Sequence, residues 1–450
     1  GEGTAMLEIV RNLAPGAGLF FATAGNSEAS FAQNILDLRS AGCDIIVDDF
    51  GYYDESPFQD GPVAQAVNSV TASGALYFSA AGNDGNQDDG TSCTWEGDFV
   101  DGGEVGSVIT NSSTGFPGET GARVHSFGAA NYATANLSAG FAEVVLFWSD
   151  PLGAAADDYD LFVLSSTGDS IDDFSNNTQN GTQDPFESCS SSMSGERIVI
   201  VKVSGAARFL HVSALSDGNS TLSPSTPGNM NGHQCASNAF CVAASDATVA
   251  FPNLFTTANV VESFSSDGPR HMFFNQDGTA ITPRNFTSTG GYNREKPDLT
   301  AADGITSDVP GFTPFYGTSA AAPHAAAVAA LVKSYQPGLT PHQIRSILTG
   351  ACLDIMTPGF DRDSGAGIVM AVPALQSATP VVLSASASGG MITLSWNTAA
   401  GHSYQPQYSD NLGSIVWNNL GAAISGNNTT VTASDNAGVH AQRFYRILVH

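Results

Sequence analysis

Positive charge is the scarcest property of this sequence: its 450 residues include only 15 Lys and Arg against 43 Asp and Glu, for a formal net charge of −28. A chain repelled this strongly by phosphate is excluded as a non-specific binder of nucleic acid or anionic lipid. Long hydrophobic runs are missing too, none approaching the roughly 18–20 residues that span a bilayer, which excludes a membrane span. The six cysteines contain no Cys-x-x-Cys pair, so neither a zinc ribbon nor a thioredoxin-type redox site is present. Cys235 and Cys241 are expected to form a local disulfide, and the even count fits an oxidising compartment. Charged residues make up only 13%, about half the usual share, with Gly (48), Ser, Thr, Asn and Ala in their place, the turn-rich composition of secreted proteins. The chain opens directly in a helical pattern (Ala5, Met6, Ile9, Val10) with no initiator Met or signal peptide, which reads as a cut end.

What is present is an alternation of helix and buried strand. After the opening helix, Leu19 to Ala22 reads as a strand, Ser30 to Ser40 as a helix, Asp44 to Val47 as a strand, Pro62 to Ala72 as a helix and Ala75 to Ala81 as a strand. Such units predict an α/β fold with a doubly wound parallel sheet and a site at the carboxyl ends of its strands. Beyond residue 100 the period becomes two, as in Glu143–Trp148 and Arg197–Val203, with no convincing helix, up to the Ser/Pro-rich stretch Ser220–Pro227. The α/β pattern resumes at Cys241 and includes an Ala-rich helix, Ser319 to Tyr335, and another near Pro341 to Thr349; from Val381 the pattern is β again. The expected organisation is one α/β domain in two parts, 1–100 and 227–378, with a β-sandwich inserted at 101–226 and a second β-sandwich at 379–450.

Two strings carry chemistry. In Gly317-Thr-Ser-Ala-Ala-Ala-Pro-His324, Ser319 falls at the first turn of a helix, where the dipole and free amides favour negative charge. Ala320 to Ala322 are expected to leave room for a substrate backbone. In Phe78-Ser-Ala-Ala-Gly-Asn-Asp-Gly85, Asn83 ends a strand, where an amide can donate to a forming oxyanion; read alone the string is only turn chemistry.

Together these strings resemble the motifs of the subtilases and of their acid-active relatives, the sedolisins. The resemblance implies a subtilisin-like fold and a serine endopeptidase, with Ser319 as nucleophile and Asn83 as oxyanion donor. It extends to Glu262–Pro269, Lys296–Ala301 and Gly365–Ile368, which are similar to framework segments of that superfamily. Sedolisins place an aspartate where Asn83 stands, so on this point the chain is more similar to subtilases.

The base departs from the subtilase pattern. The nine histidines begin only at His125, and none has the setting of the subtilase histidine. Its position falls on Glu2, as in sedolisins, whose supporting aspartate one turn later is replaced by Met6. The supporting carboxylate is then Asp49, at the end of the Ile45–Val47 strand, or an aspartate upstream of Gly1. His324 falls on a structural helix position. A carboxylate base can work where imidazole is protonated, so an acidic optimum is expected, with which a sequence pI of about 4.3 is compatible.

Asp354-Ile-Met-Thr-Pro-Gly-Phe-Asp361 is similar to the sedolisin calcium segment, although its central link is shorter. Asp354 and Asp361 are candidate ligands of a structural Ca²⁺, the other reading being a plain loop; no cofactor is expected for the chemistry itself. Asp157-Asp-Tyr-Asp-Leu161 and Trp148–Pro151 look like parts of the pre-peptidase C-terminal type of sandwich, whose turn acids bind calcium or merely solvate a loop. The C-terminal stretch, with Leu394-Ser-Trp396 and Tyr404–Tyr408, is similar to fibronectin-like modules, its aromatics read as core. The expectation is a secreted or cell-surface endopeptidase acting on polypeptides, its substrate extended along Asp49-Phe50-Gly51. The competing reading is an inactive scaffold serving adhesion.

Overall fold

Leu76-Tyr-Phe-Ser-Ala80 is buried at every position, as only a strand covered on both faces can be. It is the second strand, β2, of a six-stranded sheet in a computed structural model that describes residues 1–111, 121–378, 383–398, 402–411, 416–427, 429–438, 440 and 442–449. Beside it lie β1 (Ile45–Asp48), β3 (Ala239–Asp246) and β4 (Leu299–Asp303), followed by the two-residue strands β5 (Cys352–Leu353) and β6 (Ile368–Val369). The spatial order is β1-β2-β3-β4-β6-β5, parallel except for the β5–β6 pair.

Helices cover both faces. Helices α2 (Glu28–Ser40) and α3 (Pro62–Ala72) pack Phe31, Ile35, Val63, Val67 and Val70 against Ile46 and Tyr77. Ser27 starts α2 by accepting the Ser30 amide at 3.2 Å, and Pro62 occupies the first turn of α3, where its missing N–H costs nothing. Helix α1 (Glu2–Leu13) buries Ala5, Met6 and Ile9 against Phe315 and Ala320, the latter in the first turn of α4 (Thr318–Tyr335). This contact brings the start of the chain to the start of α4. Helix α5 (Pro341–Gly350) follows.

Two expectations need correction. Leu19–Ala22 forms no strand: the segment joins no ladder, β1 ends the sheet among the described residues, and Phe20 and Phe21 are exposed. Without a neighbour to satisfy its N–H and C=O groups, a β-prone sequence gains nothing from the strand conformation. Nor do Cys235 and Cys241 form a disulfide; all six cysteines are free thiols, and these two are buried with Ala81 and Met230.

Between β2 and β3 the chain is β-rich from Thr94 onward, its helices among the described residues being single turns at Ser107–Thr110 and Gly232–Cys235. A four-stranded sheet (Phe186–Ser191, Ala142–Trp148, Phe209–Leu215, Thr94–Asp98) and a seven-stranded sheet share one core that includes Leu146, Trp148, Tyr159, Leu161, Ile198 and Ile200. The chain divides into two compact units: Gly1–Ala330 with Thr340–His342 and Cys352–Val369, and Leu331–Leu339 with Gln343–Ala351 and Met370–His450. In the second, three- and four-stranded sheets enclose Leu394, Trp396 and Tyr404, so these aromatics are core.

Candidate active site

Gly317, at φ +118, occupies the left-handed region open to glycine, and its carbonyl accepts the Ala320 amide at 3.0 Å, so it caps α4. Ser319 therefore lies in the first turn, where amides remain unpaired by the helix. It is 9% exposed, whereas Ala320, Ala321 and Ala322 are completely buried. The alanines serve packing, and Ala320 is the residue that meets α1.

Asn83 follows β2 and faces this turn across 235 residues of sequence. The Thr318 amide and hydroxyl each donate to Asn83 Oδ1 at 3.0 Å, and the Gly82 amide donates to Thr318 Oγ1 at 3.1 Å. With its oxygen held, Asn83 presents Nδ2 as a free-swinging donor no longer: Nδ2 donates to Asp217 Oδ1 at 3.1 Å. Asp217 sits at φ 48 just after the strand Phe209–Leu215. Its carboxylate thus holds the donor expected to meet an oxyanion, in a cleft of about 350 Å³ lined by Asp49, Phe50, Asn83, Asp217, Thr318 and Ser319 among others.

Asp49 lines this cleft and also a second, more apolar cavity of about 330 Å³, whose walls include Glu2, Met6 and Val47. Glu2 is exposed at the first position of α1. Burial pushes the Asp49 carboxyl up to about 7, and the neighbouring charges of Glu2 and Asp48 push the same way. Glu2 and Asp49 are therefore brought together, and Asp49 in turn borders the space at Ser319. Met6 is 7% exposed and part of the core, so the position one turn after Glu2 is a packing position and carries no carboxylate.

Behind Asp49 lies a polar cluster that sequence reasoning missed. His233 is fully buried; its Nε2 donates to Asp48 Oδ1 at 3.1 Å and its Nδ1 to Glu55 Oε1 at 2.8 Å. Ser79 Oγ adds a bond to Asp48 Oδ1 at 2.7 Å. Burial alone would lower the imidazole, but Glu55 and Asp48 outweigh it and raise it to about 10, so both ring nitrogens carry protons. The Asp48-Asp49 pair at a strand end was a signal; His233 had none. His324 bonds the Ala320 carbonyl at 2.8 Å within α4, and burial lowers its pKa, in line with a structural position.

The candidate metal residues serve their own loops. Asp354 Oδ2 accepts the Gly359 amide at 2.9 Å, and Asp361 accepts the Asp363 and Ser364 amides at 2.9 and 2.7 Å and the Ser364 hydroxyl at 2.8 Å. Carboxylates already satisfied in this way fit a plain loop better than a calcium cage. Asp150 and Asp157 pair with Arg208, and Asp158 accepts the Gln179 amide, so these turn acids are structural.

Residues 154–367 match the family model described as Subtilase family. The match contains Ser319 but not Glu2, Asp49 or Asn83, which rest on geometry. Fervidolysin of Fervidobacterium pennivorans is 36% identical over 90 residues, which are 20% of this chain and only 12% of that protein's length. Among solved structures, the Clostridium perfringens CspB protease is similar at 14% identity and a TM-score of 0.48, over 80% of this chain and 73% of that one. A lanthipeptide protease is similar at 15% identity and a TM-score of 0.37, over 84% and 76%.

Proposed function

We propose that this chain, which belongs to the subtilase family through its residues 154–367, is a serine endopeptidase with a carboxylate base. The observation that carries the reading is the meeting of Asn83 and Thr318-Ser319, which fixes an amide donor beside a hydroxyl at a helix start. Ser319 Oγ attacks the peptide carbonyl as its proton passes to Glu2. The oxyanion then takes hydrogen bonds from Asn83 Nδ2 and the Ser319 amide, in place of the bond Asn83 makes to Asp217. The proton returns to the leaving amine, and water repeats the sequence to release the acyl group. Asp49, holding its proton up to about pH 7, orients Glu2 in the manner of the sedolisin pair and makes the optimum acidic. The substrate lies extended along Asp49-Phe50-Gly51, beside the free edge of β1. A secreted or cell-surface protein with β-sandwich modules between the two parts of its peptidase domain and after them accords with the composition and the two-sheet core.

The contact between Asp217 and Asn83 favours one second reading, a dormant or inactive scaffold with its donor occupied. Turnover of a casein or peptide substrate separates the two. Ser319→Ala should abolish it with an unchanged melting temperature, and Asn83→Ala should lower kcat by roughly 10²–10³ with little change in KM. Turnover retained by Ser319→Ala sinks the assignment; if the wild type is inert and Asp217→Asn is active, the dormant reading is correct.

A further inference from the structure

Asp246 and Asp303 end the neighbouring parallel strands β3 and β4 and are paired in register. Glu262 joins them from the following loop, held by its amide to the Ala244 carbonyl at 2.9 Å. A carboxylate oxygen from each of the three lies within 4.8 Å of the others. Mutual repulsion makes this arrangement unfavourable unless something positive or a proton lies between them.

The individual oxygens are unequal. Asp246 accepts the Thr248 amide at 2.7 Å and its hydroxyl at 2.9 Å. Asp303 is completely buried; Oδ2 accepts the Gly317 amide at 2.9 Å, while Oδ1 has no hydrogen-bond partner. A buried carboxylate oxygen without a donor, next to two further carboxylates, is costly as it stands and is what a cation site requires. Asp246 and Glu262 are half-buried, so an ion can reach the group from solvent.

We infer that Asp246, Glu262 and Asp303 bind a hard divalent cation of the Ca²⁺ class, and that the ion, through Asp303, holds the Gly317 cap of the helix that carries Ser319. All-oxygen, mostly anionic donors suit Ca²⁺, with waters completing its shell; Mg²⁺, smaller and reluctant to shed water, is the poorer fit. The site is separate from Asp354 and Asp361. Ion binding stands apart from the peptidase reading; only the consequence for Ser319 rests on it.

The test uses the whole chain, stripped with EDTA, exchanged into chelator-free buffer at pH 7.5 and titrated calorimetrically with CaCl₂ and, separately, MgCl₂. One Ca²⁺ per chain is expected, with a Kd on the order of 10⁻⁴ M, together with a rise in melting temperature that Mg²⁺ does not reproduce. Glu262→Gln should weaken binding at least about tenfold and erase the rise, whereas Asp354→Asn with Asp361→Asn should leave both intact. Asp303→Asn should lose binding as well, and Glu262→Gln and Asp246→Asn carry the test if that variant does not fold. Absence of binding heat in the wild type, or unchanged affinity in Glu262→Gln, overturns the site. Fluorophosphonate labelling of Ser319 should slow several-fold on chelation in the wild type and be indifferent to Ca²⁺ in Glu262→Gln. Calcium binding with labelling unaffected by chelation overturns the link to Gly317 alone.

Discussion

Asp49 faces two spaces, one with Glu2 and one with Ser319, and its raised pKa decides which member of the acid pair can accept a proton. Below about pH 7 Asp49 is protonated, which under the proposed mechanism leaves Glu2 to act as base; as pH rises through 7, Asp49 ionises and a negative charge appears beside Glu2. Activity should therefore fall along a limb centred near 7. Asp49→Asn imitates the protonated form, so in a kcat/KM profile it should keep activity at pH 5 within a few-fold and lose the falling limb. Glu2→Gln cannot take a proton and should lose most activity at every pH. The opposite ranking would make Asp49 the base. The positions of Ser319 at a helix start and of Asn83 after β2 were legible because each stands in a short string with its own local geometry. Asp217 was not: in Asp217-Gly218-Asn219 it reads as a turn, and only the fold carries it across to Asn83.

At the scale of elements, His233 ties together β1, β2 and the loop after Phe50 by bonding Asp48 and Glu55, with Ser79 on the same carboxylate. Because it stands 178 positions from Glu55, no spacing in the sequence could announce the bond. His233→Gln leaves two buried carboxylates without their cation and should destabilise by about 3 kcal/mol in denaturant unfolding. The sign of its pH dependence follows from the raised pKa: the contribution is complete below the unfolded value of 6.5 and is lost as pH rises through about 10. Wild-type stability should carry a component that declines across that window, and the variant should lack it. Equal stability of the two at pH 6 would contradict the account. The helices and the buried strands β1 and β2 were legible to within a few residues, since their periodicity and caps are local. Leu19–Ala22 was misread because a strand depends on a neighbour, which a propensity does not supply.

For the whole molecule, the alternation of helix and strand was enough to anticipate a parallel sheet with its site at the carboxyl ends, where Asp49, Asn83 and Asp303 all fall. Less legible was how the α/β and β-rich regions share residues: β structure begins already at Thr94, and the family match begins at residue 154, inside the β-rich region. The two strings read as carrying chemistry, separated by that region, meet only through β2 and α4. The central claim, that Ser319 is a nucleophile activated by a carboxylate, is tested most directly by fluorophosphonate labelling of the folded chain across pH, with the adduct located by mass spectrometry. The account predicts a single adduct on Ser319, formed at pH 5 as readily as at pH 6.5 and lost in Glu2→Gln. No adduct on Ser319, or one whose formation rises with a midpoint in the histidine range and survives Glu2→Gln, would contradict it.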